Sequence, residues 1–296
     1  MVFKRISALS IAKKVSLGVF GKNISYSLSP VVYDAWFNHF NISGHCSLIQ
    51  KNMFDFEEVS LEFSKYYGWA ITVPYKEKIV EWLKTHPSAS WDSWVEELGV
   101  ANIIKNKEDC VVATNTDALA LGFFLSQNDF TEKLKFSKNV LILGGGGVAK
   151  TSEAVLKRIM PEQRSFNIYM AQRNLVGKDC KNNISLYDFK TMEKIGFDVI
   201  INATPMGTSR NEEHHVLTEI SAVLKQNKGS LVIDWAYDVT PTFWDCWTKQ
   251  EDVLFLGGTD LLIQQAAFAF EFWFGLVPPL FLAKQAIESA ISKTEV

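Results

Sequence analysis

The stretch that decides the fold runs from residue 141 to residue 150 and reads LILGGGGVAK. Four glycines follow a short apolar run directly, and a helical pattern begins after them. A tight turn explains one or two glycines, because glycine adopts positive φ values that other residues avoid. Four in a row indicate more than a turn: some other group must approach this backbone so closely that no side chain can stand there.

The spacing of these glycines matches a dinucleotide-binding fingerprint. The pattern is G-x-G-x-x-A, and it lies between a predicted strand and a predicted helix. Backbone N–H groups at a helix N-terminus can bind a pyrophosphate, because the aligned peptide dipoles favour negative charge there. Glycine-rich turns also occur for packing alone, but this position favours a nucleotide. The predicted contacts are Gly144, Gly145, Gly146, Gly147, Val148 and Ala149.

The end of the next predicted strand indicates which dinucleotide binds. Chains that bind NAD place an acidic residue there, which accepts hydrogen bonds from the ribose hydroxyls. Here the segment contains Gln172, Arg173 and Asn174 and no acid. Arg173 can pair with a 2′-phosphate, since a guanidinium presents paired donors to phosphate oxygens. We therefore predict NADP rather than NAD, the alternative being that Arg173 is a solvated loop residue.

Outward from the glycines, apolar runs alternate with helical patterns, which is typical of a parallel sheet covered on both faces. In the first half of the chain we predict strands at residues 17–21 and 69–73 and helices at residues 30–40 and 76–83. A polar stretch at residues 127–138 separates this half from the second. The predicted strands of the second half are VLIL (140–143), NIYMA (167–171), DVIINA (198–203), LVIDWA (231–236) and VLFLG (253–257).

The composition excludes several classes of function. A chain of 296 residues with 47% apolar residues can fill a substantial core. Its net charge of −3 gives no basic field that would attract nucleic acid. The four cysteines form no CxxC pair and the five histidines show no ligand spacing, so we predict no metal site and no disulfide framework. Widely spaced cysteines fit a reducing compartment, and we expect a cytoplasmic protein.

Two segments raise the question of targeting or membrane insertion. Residues 1–33 contain basic side chains but no acid, which transit peptides share, although a basic N-terminus is the simpler interpretation. Residues 261–283 are long enough to span a bilayer, but glutamines, a glycine and two prolines interrupt them. A buried helix that ends at Gly275 is the better interpretation, and we predict no membrane partner.

Three polar segments of the first half have simple structural explanations when each is taken alone. They are SYSLSP (25–30), ITVPYKEK (71–78) and ATNTDALALGF (113–123). On spacing alone, Ser29 caps a helix whose apolar side contains Val31, Ala35 and Phe37. Lys76 is then a surface lysine, and an aspartate in the third segment is a helix cap. These residues by themselves do not identify a reaction.

Taken together, the motifs resemble the shikimate dehydrogenases, in order and over most of the chain, from about residue 17 to residue 275. SYSLSP is similar to the family's H-S-x-S-P, ITVPYKEK to V-T-x-P-x-K, and the glycine stretch to G-A-G-G-A-x-R. The further segments that match are GVANII (99–104), NTDALALGF (115–123), NATPMG (202–207), IDWAY (233–237) with TP (240–241), and GGTDLLIQQAAFAFEFW (257–273).

The resemblance implies a two-domain α/β fold: an N-terminal α/β substrate domain, an NADP-binding Rossmann domain, and C-terminal helices that pack back on the substrate domain. We expect residues 1–124 with 259–296 in the substrate domain and residues 125–258 in the cofactor domain. The implied activity is NADP-dependent, metal-free, reversible reduction of 3-dehydroshikimate to shikimate, in the biosynthesis of chorismate and aromatic amino acids. The expected partners are small molecules only, and the protein is expected to be a monomer or homodimer.

The resemblance also implies a role for each polar segment. Lys76 and Asp117 would be the catalytic pair, because a ketone reduced by hydride gains negative charge on oxygen that a nearby ammonium stabilises and protonates. The implied substrate contacts are Ser27, Ser29 and Tyr237 at the carboxylate and Thr72, Asn102, Asp117 and Gln265 at the ring hydroxyls. The further implied cofactor contacts are Ala203, Thr204, Met206 and Gly258.

Four residues depart from the family pattern. Ala70 replaces an Asn, Ile103 a Thr, Tyr26 a His and Ala118 a Gly. The first two remove hydrogen-bonding groups beside implied substrate contacts, and a shift of about an ångström in such a loop lowers rates substantially. Two alternatives therefore stay open: a family member that acts on quinate or another cyclic polyol, and a catalytically silent homologue that binds a nucleotide.

Overall fold

The computed structural model describes residues 14–107, 110–160, 166–173, 182–211, 213–224 and 230–292. Asn174 and residues 1–13 of the basic N-terminal segment lie outside these ranges. The strands are β1 (Val15–Gly21), β2 (Gly44–Gln50), β3 (Gly68–Ile71), β4 (Ala89–Trp91), β5 (Ile103–Lys107), β6 (Cys110–Thr114), β7 (Asn139–Leu143), β8 (Asn167–Gln172), β9 (Asn183–Ser185), β10 (Val199–Asn202), β11 (Leu231–Asp234) and β12 (Leu254–Leu256). The helices are α1 (Ser29–His39), α2 (Phe56–Phe63), α3 (Lys78–Lys84), α4 (Ser93–Leu98), α5 (Thr116–Leu125), α6 (Asn128–Phe136), α7 (Gly147–Ile159), α8 (Phe189–Ile195), α9 (His214–Ala222), α10 (Phe243–Trp247), α11 (Gly258–Phe274) and α12 (Leu280–Ser292).

The strands of the second half form one sheet in the order β12-β11-β10-β7-β8-β9, and all its pairs are parallel. The order reverses between β10 and β7, so that a crevice opens beyond their carboxyl ends, where doubly wound sheets bind ligands. Core side chains cover both faces of the central strands. All five predicted strands of this half are confirmed, because continuous apolar runs are what a sheet buried on both faces requires.

The first half forms a mixed sheet in the order β2-β1-β3-β5-β6-β4. Strand β5 runs antiparallel to both of its neighbours, and the other pairs are parallel. The two predicted strands correspond to β1 and β3, whereas β2, β4, β5 and β6 were not predicted. The polar stretch predicted to separate the halves contains helix α6. The α/β fold class is confirmed.

Helix α1 corrects two expectations. It begins at Ser29, which is therefore its first residue and not its cap, since Leu28 occupies the capping position. Of the three residues predicted on its apolar side, only Phe37 is buried. The residues that face the core are Val32, Tyr33, Trp36 and Phe37. The stripe is rotated because α1 is covered by the sheet on one side and by α11 and α12 on another.

The C-terminal helices pack on the first half of the molecule. The ring of Trp36 in α1 lies 5.5 Å from that of Phe270 in α11, and its indole nitrogen donates to the carbonyl oxygen of Pro279 at 3.0 Å. Helix α11 ends at Gly275, whose φ is +68°, so the predicted end is confirmed. Over the ranges given above, no helix combines the length and the apolar character needed to cross a membrane.

Candidate active site

A cavity of about 250 Å³ lies between the two sheets, at the carboxyl ends of β1, β3, β7, β10 and β11. Polar residues that follow different strands meet there because the ends of parallel strands open at one edge of each sheet. Twelve of the predicted site residues line the cavity. They are Ser27, Ser29, Thr72, Lys76, Asn102, Asp117, Val148, Ala203, Thr204, Tyr237, Gly258 and Gln265.

The structure brings Lys76 and Asp117 together as a buried ion pair. Lys76 Nζ lies 2.7 Å from Asp117 Oδ2, and the two side chains are 12% and 6% exposed. Lys76 precedes α3, and its carbonyl oxygen accepts a hydrogen bond from the Ala101 N–H at 3.0 Å. The cap of α5 is Asn115, whose side chain accepts a hydrogen bond from the Ala118 N–H at 3.0 Å. Asp117 therefore does not cap this helix. Neither member of the pair is the surface or capping residue that its local pattern allowed.

Asn102 fixes the other oxygen of the Asp117 carboxylate. Its Nδ2 donates to Asp117 Oδ1 at 3.0 Å and to Thr116 Oγ1 at 3.0 Å. Its Oδ1 accepts from the Thr116 N–H at 2.8 Å. Thr116 Oγ1 in turn lies 3.3 Å from Gln265 Oε1 and donates to it, which connects α5 to α11. The carboxylate therefore has one oxygen held by an amide and the other by the ammonium of Lys76.

Three hydroxyl groups meet at the opposite end of the cavity. Ser27 Oγ lies 3.3 Å from Ser29 Oγ and accepts from the Ser29 N–H at 3.4 Å. The Tyr237 hydroxyl is close enough to Ser27 for Ser27 to lower the pKa of Tyr237. Burial and the neighbouring Tyr26 raise the pKa of Tyr237 to about 12, although Ser27 and Arg210 oppose the shift. Tyr237 is therefore a neutral hydroxyl donor throughout the physiological pH range.

Arg210 is a cavity residue that sequence reasoning missed. It stands at the tip of the turn after β10, its guanidinium lies 3.6 Å from the centroid of the Tyr26 ring, and its Nη2 donates to the Tyr237 carbonyl oxygen at 3.0 Å. Its Nη1 donates to Asp238 Oδ1 at 3.3 Å. The replacement of the family's His by Tyr26 was the available signal, because an aromatic face attracts a cation.

The glycine-rich turn has the geometry of an anion cradle. Gly144 has a φ of +108°, which a side chain would strain, and a Cβ at Gly145 would collide with Gln172. Gly146 occupies the capping position of α7 and has no side chain to cover the first N–H groups of that helix. The backbone is thus open to an outside anion, and the residues present fit a dinucleotide pyrophosphate. A Cβ at Gly147 would lie 3.6 Å from Lys76 Cβ, so the turn adjoins the ion pair.

The remaining predicted cofactor residues are spread around this turn. Gln172 packs against Gly145, and Arg173 follows at the carboxyl end of β8, where it is exposed and paired with Glu213. Met206 is fully buried in the core beneath the cavity, so its side chain is not a cavity contact. Among the described residues, no group of three or more His, Cys, Asp or Glu side chains is placed to hold a metal ion.

Asp234 lies beneath the cavity and was not predicted as a site residue. It ends β11 and is fully buried, where Thr242 Oγ1, the Ala236 N–H and Asn202 Nδ2 donate to its carboxylate at 2.9, 3.0 and 2.9 Å. Burial raises its pKa to about 7, and these three hydrogen bonds oppose the shift. Asp234 thereby fixes the segment that carries Tyr237 to the cavity.

Comparison with known proteins gives one consistent result. A family model described as the shikimate dehydrogenase substrate binding domain matches residues 19–104, and one described as the shikimate 5′-dehydrogenase C-terminal domain matches residues 258–288. A shikimate dehydrogenase (NADP(+)) of Bacillus cereus is 28% identical over 281 residues, which cover 91% of this chain and 96% of that protein. Over both matched segments and most of its length, the chain is therefore similar to the shikimate dehydrogenases.

Solved structures agree on the fold. A chorismate mutase/shikimate 5-dehydrogenase fusion protein from Clostridium acetobutylicum has a TM-score of 0.76 at 22% identity, with 96% of this chain and 100% of that chain covered. The Thermus thermophilus enzyme in complex with NADP(H) and shikimate has a TM-score of 0.68 at 19% identity and covers 93% of this chain and 99% of that chain. These likenesses confirm the expected two-part architecture of the shikimate dehydrogenase family.

Two of the departures from the shikimate dehydrogenase pattern lie side by side in the sheet. Ala70 in β3 and Ile103 in β5 are direct partners across the antiparallel pair. Two neighbouring polar side chains of the family pattern are therefore both apolar here. Replacing both members of such a pair by apolar groups can be nearly neutral, because neither is left facing a polar group it once bonded. Asn102, next to Ile103, keeps its hydrogen bonds to Asp117.

Proposed function

We propose that the protein is an NADP-dependent shikimate dehydrogenase, which reversibly reduces 3-dehydroshikimate to shikimate in aromatic biosynthesis. The observation that carries the proposal is the buried Lys76–Asp117 pair at 2.7 Å, on the wall of the cavity beside the glycine-rich turn. The curated relatives named shikimate dehydrogenase (NADP(+)) match over nearly the full length of both chains, which supports the same activity here.

In the proposed reaction the protein positions the substrate and stabilises the charge that develops on its carbonyl oxygen. Bound NADPH supplies the hydride to the ring carbonyl carbon. The carbonyl oxygen gains negative charge as its double bond opens, and the Lys76 ammonium stabilises that charge and gives the oxygen a proton. In the reverse direction the Lys76 amine accepts the hydroxyl proton. Asp117 orients the ammonium, since Asn102 holds the carboxylate from the other side.

The substrate would lie with its carboxylate at the hydroxyl end of the cavity. Ser27, Ser29 and the neutral Tyr237 each provide an O–H donor there. Thr72 and Gln265 line the wall between the two ends and would contact the ring hydroxyls, as would Asn102 and Asp117. Anchoring the carboxylate at one end fixes which ring carbon faces Lys76, and such orientation is a large part of catalysis.

Arg173 supports the choice of NADP. It stands at the end of the strand that follows the glycine-rich helix, where a 2′-phosphate is recognised, and its guanidinium is exposed. Gln172 and the four glycines would hold the rest of the dinucleotide, together with Ala203, Thr204 and Gly258 on the cavity wall. We further infer that residues 1–124 with 259–296 form the substrate domain and residues 125–258 the cofactor domain.

Turnover assays with four substrate and cofactor pairs test the proposal. Absorbance of reduced nicotinamide is followed with shikimate or quinate and with NADP⁺ or NAD⁺. We expect the highest kcat/KM for shikimate with NADP⁺. A higher value for quinate would assign the protein to the polyol alternative. Cofactor binding without turnover of either acid would identify a silent homologue.

A further inference from the structure

The end of the cavity where the three hydroxyls meet, called the anion end from here on, also contains a charged side chain. Ser27, Ser29 and Tyr237 are neutral, yet the guanidinium of Arg210 lines the same cavity. Lys76 is committed to Asp117 at the other end. A carboxylate that loses its water shell on entering a cavity is stabilised far more by a cation than by neutral donors.

Arg210 is held at this place from both ends of its turn. Gly207, with a φ of +87°, begins the turn, and Thr208 and Asn211 pair across it. Asp238 accepts hydrogen bonds from the Ser209 N–H at 2.7 Å and from Ser209 Oγ at 2.6 Å. The Asp238 side chain is only 3% exposed. Such a buried carboxylate fixes the turn and with it the direction of the arginine.

The Arg210 guanidinium retains N–H donors beyond the two that bond to the protein. Arg210 donates once to Asp238 Oδ1 and once to the Tyr237 carbonyl oxygen, and a guanidinium has five N–H donors. Its face lies on the ring of Tyr26, so its donors project in the plane beside that ring. The Arg210 side chain is 32% exposed and lines the cavity, so these donors are accessible from the cavity.

We propose that Arg210, stacked on Tyr26, binds the carboxylate of the ring acid and makes the site selective for anionic over neutral ring substrates. This inference rests on the proposed function, because it assumes a carboxylate substrate. Arg210 comes from the second half of the chain and Tyr26 from the first, so the carboxylate is held by both halves at once. The Asp238 carboxylate pairs with Arg210 at 3.3 Å and helps to hold its guanidinium in place.

The molecule contains a matched control for this arrangement. Arg158 lies 3.7 Å from the centroid of the Trp94 ring and pairs with Glu97, so it too combines an aromatic face with a carboxylate. It joins α7 to α4 and does not line the cavity. Arg158→Met therefore removes the same kind of contact between the two halves without removing a charge from the cavity.

The experiment compares shikimate with its methyl ester, which keeps the ring and loses the charge. Dissociation constants are measured by calorimetry, and kcat and KM by turnover, for the wild-type protein, Arg210→Met, Arg210→Lys and Arg158→Met. We expect Arg210→Met to weaken shikimate binding and raise its KM by roughly tenfold or more, because a charge-assisted hydrogen bond is lost. Arg210→Lys should recover part of the loss, and Arg158→Met should show none of it.

Binding of the methyl ester separates a charge effect from a structural one. We expect Arg210→Met to leave the weak affinity for the ester and the KM for NADP⁺ unchanged. An equal loss for acid and ester, or unchanged affinity for shikimate in a variant that still turns it over, would overturn this inference and leave the proposed function intact. A wild-type protein that neither binds nor oxidises shikimate would overturn both.

Discussion

The two ends of the cavity are built in different ways. At the chemical end, Lys76 precedes α3, Asn102 precedes β5 and Asp117 lies in the first turn of α5, all within the first half of the chain. Direct hydrogen bonds join Asp117 to the other two. At the anion end, hydroxyls of the first half meet Tyr237 and Arg210 of the second half. The difference teaches that the reacting groups are preformed within one half, whereas the anchor for the substrate depends on how the two halves are placed.

Replacing Lys76 removes the proton donor at the chemical end of the cavity, and we expect it to lower activity more than any other change considered. Lys76→Met removes the proton donor and the charge opposite the developing alkoxide, so we expect kcat to fall by about 10³-fold. The KM for shikimate should change little, because the anion end is intact. Kinetics of shikimate oxidation at saturating NADP⁺ test this.

Lys78→Met is the matched control for that variant. Lys78 is two residues away, exposed, and paired with Glu81 at 2.9 Å. Its replacement should leave kcat unchanged. Comparable loss in the two variants would mean that the segment, and not the Lys76 ammonium, supports the reaction.

Ser29→Ala breaks the anion end without touching the chemical end. A hydroxyl donor to the substrate carboxylate is lost, and we expect the KM for shikimate to rise roughly tenfold with a smaller change in kcat. Ser25→Ala, at an exposed position of the same motif, is the control. If Ser29→Ala lowered kcat as strongly as it raised KM, the two ends would not be separable as described.

Asp234→Asn tests the support beneath the anion end through the pH dependence of stability. Because burial raises the pKa of Asp234 to about 7 from 3.8, the folded protein binds this proton more tightly than the unfolded chain. The associated stability is complete below pH 3.8 and is lost as the pH rises through about 7. The urea midpoint should therefore fall between about pH 5 and about pH 8 more steeply in the wild-type protein than in the variant. Parallel curves would show that Asp234 is ionised in the fold at both pH values.

The smallest expected effect concerns the cofactor. Glu213 pairs with Arg173 and competes with a 2′-phosphate for the guanidinium. Glu213→Gln should tighten NADP⁺ binding roughly two- to fivefold, since exposed ion pairs are worth little. Calorimetry with NADP⁺ and NAD⁺ measures it, and the affinity for NAD⁺, which lacks that phosphate, should stay the same. Equal tightening for both cofactors would place the effect away from Arg173.

Five of the six strands of the second sheet could be predicted from sequence, all except β9, but only two of the six strands of the first. The strands β7, β8, β10, β11 and β12 are buried on both faces and read as continuous apolar runs. In contrast, β2 reads GHCSLIQ and β5 reads IIKNK, in which polar residues interrupt or end the apolar run, and β4 is only three residues long. A mixed sheet with short strands gives no comparable signal, because each strand exposes part of its surface.

The site residues could be predicted from the family motifs, but not from local hydrophobic patterns or helix-capping signals. Lys76 and Asp117 carry no sign of their contact in sequence spacing, since strand pairing and Asn102 bring them together. Arg210 escaped notice because its role depends on Tyr26, which is distant in sequence and adjacent in space. The pairing of Ala70 with Ile103 needed the register of β3 and β5, which sequence reasoning did not provide.

The packing of Trp36 against Phe270 and Pro279 has a consequence for how the protein is made. Trp36 leaves the ribosome early, but its hydrogen-bond partner Pro279 is synthesised 243 residues later. The strands of the second sheet, from residue 139 to residue 256, are contiguous in the chain. Domains generally fold in the order of translation. Here the half that is made first is completed last, and its apolar helix α1 must wait for α11 and α12 to cover it.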